Sequence, residues 1–263
     1  KRFQVHEPNI SAWRRAVCGD LTSAFNFVDP NGEALPSLPA TSRHAADGLR
    51  LRQEQLPQVP LPSPAHQRLP HQRRLARPSR ALPYQLHVEA TVAAEQRRVT
   101  LNLFNTGEQG AVFHVYDRRD LTQIPRRFTV EAGKAVSDDW LAENEYHLWL
   151  LGPNGFHREL RGTLSRPQPE VRLRPTGRSL LLQLNNPSTE AIAVTLERCP
   201  YTQQGPWPIT LPAGGSHQQA FDARASGGWY DLTLQGTDGW LRRLAGRLED
   251  GEHSVSDPLM GQE

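Results

Sequence analysis

The chain has 263 residues, so it is too long to be a single small module and long enough for two ordinary domains. Hydrophobic residues make up 37% of it, and 22 prolines slightly outnumber 20 glycines, which predicts compact domains together with an irregular stretch. The formal net charge of +2 is too small to indicate a nucleic-acid partner. No window approaches the roughly 18 apolar residues of a membrane-spanning helix, and the first ten residues lack the apolar run of a signal peptide.

The first segment, residues 1–39, has apolar residues near helical spacing between Trp13 and Phe27, which predicts one or two short helices. A piece of this size cannot bury an apolar face alone. Because the chain also begins at Lys1 rather than Met, we expect this segment to be the end of a larger domain. Cys18 and Cys199 lie too far apart in sequence to indicate a disulfide framework or a zinc site.

Residues 40–83, called the strap below, carry most of the basic excess of the chain. Eight arginines lie between residues 41 and 82, against only Asp47 and Glu54. Closely spaced prolines block helix propagation, so we expect much of the strap to be extended. Two interpretations stay open. The strap is a free linker, or it lies along another domain with its arginines contacting acidic patches or phosphate groups.

A sequence repeat with a period of about 80 residues occupies the rest of the chain. The run RRVTLNLFNTGEQGAVFHVY from Arg97 resembles RSLLLQLNNPSTEAIAVTLE from Arg178, and YHLWLLGPNGFHRELRGTL from Tyr146 resembles YDLTLQGTDGWLRRLAGRL from Tyr230. The second unit therefore copies the first. The resulting division of this part of the chain is a first repeat over 84–165, a second repeat over 169–250 and a flexible tail over 251–263.

Each repeat has the pattern of short strands. Val99, Leu101 and Leu103 alternate with residues of the opposite face, and residues 180–186 show the same alternation. Turn residues interrupt both repeats roughly every 8 to 12 residues, which is typical of an antiparallel sandwich. About seven strands in roughly 80 residues fit an immunoglobulin-like or fibronectin-like β-sandwich. The expected fold class is therefore mainly β, with two tandem immunoglobulin-like sandwiches preceded by a short helical segment and the strap.

The last hairpin of each repeat has a distinct turn signal. Asn154-Gly155 and Asp238-Gly239 are both pairs of residues that adopt positive φ readily. A two-residue type I′ turn needs positive φ at both positions. The sequence therefore predicts such a turn at each of the two sites.

No catalytic or metal-binding constellation stands out in the sequence. There is no GxSxG elbow, HExxH motif, P-loop or glycine-rich dinucleotide fingerprint. We therefore assign no catalytic residue, no metal ligand and no cofactor. Several polar residues fit solvated loop, surface-strand or charged-turn positions better than a catalytic or metal-binding role: His66, His71, Asp138, Asp139, His147 and His157.

Two aromatic residues are the candidates for a lipid or ligand contact. Phe156 and Trp240 follow the two hairpin turns at matching positions of the repeats. One interpretation is that each ring closes one end of a sandwich core. The other is that each ring is exposed at a loop tip and contacts a membrane or ligand. Trp140 and Phe221 also match each other and are expected to be core residues.

A family resemblance rests on three features taken together. The run WRRAVCGDLTSAFNF at Trp13, the Pro-rich stretch ending in RPSRALPYQLHVEATV and the tandem repeats resemble the C-terminal part of the bacterial phosphocholine-preferring phospholipases C. The resemblance covers essentially the whole chain. It implies a secreted phosphodiesterase that cleaves phosphatidylcholine, and in some members sphingomyelin, to phosphocholine and a lipid alcohol. It also implies that residues 1–39 end an α/β phosphoesterase catalytic domain.

The resemblance transfers no catalytic residue to this chain. In this family the nucleophile and the metal-binding carboxylates lie in the N-terminal domain, so the chain alone is expected to be inactive. The expected partners are the N-terminal phosphoesterase domain of the same protein, a phospholipid surface and an accessory chaperone. In the first hypothesis the sandwiches stabilise the enzyme or dock it on lipid. In the second, the chain is a stand-alone module that binds a carbohydrate or a protein through its loops.

Overall fold

The computed structural model describes residues 26–35, 37, 42–61, 63–67 and 76–259. The fold is mainly β, as the sequence predicted. The described helices are α1 (Arg43–Glu54) and three short 3-10 helices, Pro64–His66, Arg224–Ser226 and Thr237–Gly239. Within these residues, no helix combines the length and the apolar character that crossing a membrane requires. The helices predicted between Trp13 and Phe27 lie outside the described residues, apart from the last two positions of that range.

The first repeat folds into two facing sheets. One contains three strands in the order β2-β3-β6, and the other contains four in the order β5-β4-β7-β8. Val99, Leu101 and Leu103 of β3 are fully buried between them, so the alternation read from the sequence is confirmed. The strands are β2 (Leu86–Ala93), β3 (Arg98–Asn105), β4 (Ala111–Asp117), β5 (Arg126–Val130), β6 (Lys134–Leu141), β7 (Glu145–Leu151) and β8 (His157–Thr163).

The second repeat has the same strand order. Its sheets run β9-β10-β13 and β12-β11-β14-β15, which is the first arrangement with seven added to each strand number. Leu180, Leu182 and Leu184 of β10 face its core. The strands are β9 (Glu170–Thr176), β10 (Ser179–Asn185), β11 (Ile192–Leu196), β12 (Trp207–Leu211), β13 (Ser216–Asp222), β14 (Trp229–Gly236) and β15 (Leu241–Arg247).

The last strands of the two repeats pair with each other. β8 and β15 are antiparallel, and their pairing merges the four-stranded sheets into one eight-stranded sheet, called the continuous sheet below. Arg158 lies opposite Leu244, and Leu160 lies opposite Arg242. Arg242 is the equivalent of Arg158, and Leu244 is the equivalent of Leu160, since each pair is 84 residues apart. Arg158 and Leu160 therefore each lie opposite the equivalent of the other. The repeats are therefore related by a local twofold axis, as in an isologous dimer interface.

Both predicted hairpin turns are confirmed. Asn154 and Gly155 have φ of 58° and 71°, and Asp238 and Gly239 have φ of 55° and 77°. Left-handed values at two successive residues match the twist of the flanking strands. These turns fix the pairing of β7 with β8 and of β14 with β15.

The expectation that much of the strap is extended is wrong for residues 43–54, which form α1. Ser42 caps this helix, since its Oγ accepts a hydrogen bond from the Ala45 N–H at 3.2 Å. Arg50 and Glu54 form an ion pair one turn apart, with 2.6 Å between Nη1 and Oε1. The prolines of the strap begin only after the helix, so they do not interrupt it. No residue of α1 is buried in the described structure.

The last part of the strap, residues 76–83, lies on the second repeat and is called the strap end below. Its strand β1 (Pro78–Ser79) pairs antiparallel with β16 (Ser254–Val255). The Ala81 N–H donates to Nδ1 of His253 at 3.1 Å. The segment expected to be a flexible tail therefore holds the strap end through its described residues, and the free-linker interpretation does not apply to 76–83.

Candidate functional site

Two buried arginines cross between the repeats at the β8–β15 pair. Arg158 of the first repeat is 4% exposed. Its Nη2 donates to the phenol oxygen of Tyr230 in the second repeat at 3.0 Å, and its Nη1 donates to the Ala245 carbonyl at 2.7 Å. The guanidinium carbon lies 4.1 Å from the ring centroid of Phe156, a cation–π contact. Arg158 therefore joins the core of its own repeat to the other repeat.

Arg242 makes the same contacts in the opposite direction. Its Nη2 donates to the phenol oxygen of Tyr146 in the first repeat at 2.5 Å, and its Nη1 donates to the Arg161 carbonyl at 2.9 Å. Its guanidinium carbon lies 4.9 Å from the ring of Trp240. The local twofold axis thus produces two equivalent arginine–tyrosine crossings.

Two glycines make room for the tyrosines of these crossings. A Cβ on Gly162 would lie 2.7 Å from the Tyr146 phenol oxygen, and a Cβ on Gly246 would lie 3.0 Å from that of Tyr230. Both distances are shorter than a van der Waals contact. Each repeat therefore needs glycine at this position of its last strand.

A cleft opens beside Arg158, between the two repeats; it is called the inter-repeat cleft below. Its free volume is about 50 Å³. The residues that line it include Tyr84, His87, Phe156, Arg158, Tyr230 and Glu249. The cleft therefore combines aromatic walls with both signs of charge.

The carboxylate that lines this cleft belongs to a buried ion pair. Arg247 Nη1 lies 3.2 Å from Glu249 Oε1, and the two side chains are 1% and 3% exposed. The other oxygen, Oε2, accepts the Leu82 N–H of the strap end at 3.1 Å, and Asn154 donates to Oε1. Burial raises the pKa of Glu249, although Arg247 and these two donors oppose the shift. Glu249 thus ties together the strap end, the first repeat and the second.

Neither aromatic candidate occupies an exposed position. Phe156 and Trp240 are each 6% exposed and lie in the cores of their own repeats. A ring with so little accessible surface cannot insert into lipid while the chain is folded, so the exposed-tip interpretation is corrected. Their matching positions reflect the matching arginines that they stack on. Trp140 and Phe221 are buried in the same two cores, as expected.

The two histidines of the last hairpin of the first repeat lie on the outward face of the continuous sheet. His147 and Glu159 are in contact, with 2.7 Å between Nε2 and Oε1. The His157 ring packs edge-to-face on Trp149 with centroids 5.7 Å apart. Burial lowers the pKa of His157 to about 4, helped by Arg243 and opposed by Glu159. The prediction that both histidines occupy surface positions of a strand is right about the face of the sheet, but both side chains are half-buried.

We expect His157 to make the folded chain less stable in mild acid. Its folded pKa of about 4 lies below the 6.5 of an unperturbed histidine, so the unfolded chain takes up the proton first as the pH falls. The stabilisation is complete above pH ~6.5 and is lost progressively down to pH ~4. At pH 5 the loss is on the order of 1–2 kcal/mol. Urea unfolding at pH 7 and pH 5 measures it.

The control for this pH effect is a comparison of two glutamine variants. His157→Gln should remove a large part of the difference between the two pH values, whereas His44→Gln, on the exposed helix α1, should leave it unchanged. The charged groups that act on the His157 ring are Glu159, Asp231, Arg158 and Arg243, and neither substitution removes any of them. An unchanged pH dependence in His157→Gln would show that another group causes it.

The paired aspartates, Asp138 and Asp139, each form an ion pair with an arginine. They lie in strand β6 rather than in a turn, which corrects the charged-turn prediction. Asp138 Oδ2 lies 2.7 Å from Arg126 Nη1, and Asp139 Oδ2 lies 3.0 Å from Arg98 Nη1. Within the described part of the chain, no group of three or more His, Cys, Asp or Glu side chains is placed to hold a metal ion. The side chains of His66 and His71 lie outside that part.

Cys199 is a buried free thiol, and Cys18 lies outside the described residues. Burial raises the pKa of Cys199 to about 11. A thiol with so high a pKa is protonated at neutral pH and is therefore a poor nucleophile.

Sequence reasoning missed the two crossing arginines. The signal for them was present, because Phe156, Arg158, Leu160 and Gly162 alternate onto one face of β8 and the other three residues suit a core. A charged residue on the core-facing side of a strand, present at the equivalent position Arg242 as well, indicates a buried polar position. The partner of each arginine could not be read from the sequence, since it belongs to the other repeat.

Comparison with known proteins agrees with this architecture. A family model described as the C-terminal domain of bacterial phospholipase C matches residues 78–163 and again residues 167–247. The two matches coincide with the two sets of seven strands.

Three relatives match nearly the whole chain. A non-hemolytic phospholipase C of Pseudomonas aeruginosa is 44% identical over 274 aligned positions, covering 99% of this chain and 39% of the relative. A non-hemolytic phospholipase C of Burkholderia pseudomallei is 38% identical, covering 98% and 38%. A hemolytic phospholipase C of P. aeruginosa is 34% identical, covering 99% and 40%. The chain thus spans about two fifths of the length of these relatives, and it belongs to the family of bacterial phospholipase C C-terminal domains.

Proposed function

We propose that this chain is the non-catalytic C-terminal region of a secreted bacterial phospholipase C that hydrolyses phosphatidylcholine to phosphocholine and a lipid alcohol. The observation that carries the proposal is the similarity over 99% of the chain to a relative named a phospholipase C. The described residues support a structural role, because their polar clusters tie strands together. The chain would then support a reaction that takes place in another part of the protein.

The helix of the strap supports a role in holding the catalytic part. An isolated helix of 12 residues is marginal in water, and α1 has that length without a buried residue. Leu49 and Leu51 of this helix are about half exposed. The strap end is fixed on the second repeat, so a catalytic part packed on α1 would be held close to the sandwiches. We therefore propose that α1 packs against the catalytic part of the same protein.

This stabilising role is tested in the whole phospholipase C that contains the chain. Leu49→Asp with Leu51→Asp should lower the melting temperature of the catalytic part and shorten the lifetime of its activity at elevated temperature. Leu141→Asp is the matched control, because Leu141 is 74% exposed on the first repeat. Equal melting temperatures for the two variants would reject the role of α1.

The parent activity is tested by the release of phosphocholine from phosphatidylcholine vesicles. The whole protein should release phosphocholine and appear in the culture medium, whereas this chain alone should release none. Release by the chain alone would overturn its assignment as non-catalytic. A whole protein without this activity would leave the carbohydrate- or protein-binding module as the better description.

Lipid docking is proposed for a loop rather than for the buried rings. Leu121 and Ile124, each 42% exposed, lie between β4 and β5 in a segment flanked by arginines. Exposed aliphatic side chains beside arginines suit the interface of a phospholipid bilayer. In a flotation assay with phosphatidylcholine vesicles, Leu121→Ser with Ile124→Ser should reduce binding, while Leu141→Ser should not. Equal binding by the parent chain, the Leu121→Ser with Ile124→Ser variant and the Leu141→Ser variant would reject docking through this loop.

A further inference from the structure

The two crossing arginines differ in how completely their hydrogen-bond donors are satisfied. Arg158 Nη1 donates to the carbonyls of His157 and Ala245, and Nη2 donates once, to Tyr230. A guanidinium has five N–H donors, so two of them have no acceptor among the described residues. Arg158 also forms no ion pair with a described carboxylate, although it is 4% exposed. Its Nε is not among the fully buried atoms that lack a partner, so this N–H is open to a water molecule or to a ligand.

Arg242, the residue related to Arg158 by the local twofold axis, has one more hydrogen-bond acceptor. Arg242 makes the equivalent three bonds, and its Nη2 also donates to the side-chain oxygen of Gln168 at 3.3 Å. Gln168 lies between the repeats, and its own amide nitrogen donates to the Thr163 carbonyl, which holds the oxygen towards Arg242. A neutral oxygen of the chain thus fills this place beside Arg242.

No side chain of the described residues fills the corresponding place beside Arg158. The residue equivalent to Gln168 is Glu252, since 168 + 84 = 252, and Glu252 is exposed and does not line the inter-repeat cleft. That cleft lies beside Arg158 instead. The free volume of the cleft is about 50 Å³, and one water molecule needs about 10–15 Å³ of such volume. The cleft therefore has room for a group the size of a few water molecules.

The charges around the cleft favour an anion. Its carboxylate, Glu249, already binds Arg247, Leu82 and Asn154. Burial lowers the pKa of His87 in the cleft wall, and the positive charges of Arg158 and Arg174 lower it further against the opposing effect of Glu89. Guanidinium groups bind carboxylate and phosphate oxygens through charge-assisted hydrogen bonds that are stronger than neutral ones.

We propose that the inter-repeat cleft is a binding site for a small oxyanion, with the phosphate group as the chemistry that fits it best. The oxyanion accepts a hydrogen bond from the free Nη2–H of Arg158, in the place that the Gln168 oxygen takes beside Arg242, and a second from the Nε–H of Arg158. Phosphate offers several acceptor oxygens and matches the small volume. The phosphate is either free in solution or part of a lipid headgroup. The inference does not depend on the activity proposed for the whole protein.

The first test uses the whole chain and inorganic phosphate. Calorimetric titration at constant ionic strength should give saturable binding of one phosphate per chain, with a dissociation constant on the order of 1 mM. In a nitrogen-15 spectrum of the arginine side chains, phosphate should move the Nε–H signal of Arg158 and leave that of Arg242 in place. This readout needs no variant and therefore does not depend on whether a substitution folds.

Matched variants add a second test. Arg158→Gln should weaken phosphate binding at least tenfold, whereas Arg242→Gln, which removes the same kind of buried group on the other side of the axis, should change it less than twofold. Should Arg158→Gln fail to fold, the spectroscopic comparison of the two arginines decides. An equal loss in both folded variants, or equal movement of both signals, would overturn the site.

The source of the phosphate is separated by a vesicle experiment. Flotation with phosphatidic acid vesicles presents the same group on a lipid, and Arg242→Gln is again the control for Arg158→Gln. Binding to phosphate alone indicates a soluble ligand, and Arg158-dependent binding to vesicles indicates a headgroup. If neither phosphate nor vesicles bind in an Arg158-dependent way, Arg158 is only a structural residue and the proposal is wrong.

Discussion

Replacing Glu249 by leucine should lower the free energy of unfolding by about 3–5 kcal/mol, because it leaves the buried guanidinium of Arg247 without its counter-ion. The pair is almost fully buried, so water cannot replace the lost carboxylate. The same change removes the acceptor of the Leu82 N–H and of the Asn154 amide. Urea unfolding measures the loss. Trypsin should also cut at Arg77 and Arg80 faster, since the strap end loses an anchor.

The neighbouring residue provides the control for this prediction. Asp250 pairs with Arg178 at 2.9 Å, but this pair is exposed, so Asp250→Leu should change stability by only about 0–1 kcal/mol. The double variant Arg247→Leu, Glu249→Leu should be more stable than Glu249→Leu alone, because it removes the unpaired charge. If Glu249→Leu and Asp250→Leu have the same effect, the buried pair does not hold the strap end.

Replacing Leu101 by alanine should lower the free energy of unfolding by about 2–5 kcal/mol, as expected for a large-to-small change in a packed core. Leu101 is fully buried in the first repeat. We expect unfolding to remain one transition, because the β8–β15 pair and the two arginine crossings couple the repeats. Calorimetry of the parent and variant chains measures both the loss and the number of transitions.

Hydrogen exchange shows whether the second repeat takes part in that transition. The amide of Leu184, in the core strand of the second repeat, should exchange faster in Leu101→Ala although the substitution lies in the first. Leu49→Ala, on the exposed helix, is the control and should change neither quantity. Two separate transitions, with Leu184 unaffected, would mean that the repeats unfold independently.

The sequence predicted the local structure well where short-range physics decides it. The alternation at Val99, Leu101 and Leu103 and the turn at Asn154-Gly155 depend only on neighbouring residues, and the structure confirms both. Helix α1 was not predicted, because prolines dominate the rest of the strap. The capping Ser42 and the absence of proline within residues 43–54 are local signals that favour the helix.

The candidate site could not be predicted in the same way. The importance of Arg158 depends on Tyr230 and on a cleft whose walls also include His87 and Glu249, and these three residues are far from it in sequence. Phe156 and Trp240 illustrate the same difficulty, since their matching positions were recognised but their arginine partners were not. A repeat in the sequence shows that two units are equivalent, and it does not show which faces they present to each other.

The sequence by itself determined that this protein consists largely of paired β units with alternating core faces and tight turns, because each of those features depends on residues close together in the chain. Only the tertiary structure decided that β8 joins β15, that Arg158 and Arg242 exchange partners, and that the strap end lies on the second repeat. These contacts join residues about 70 to 180 positions apart. Their geometry arises from the packing of whole sheets, in which the register of one strand pair places every other residue.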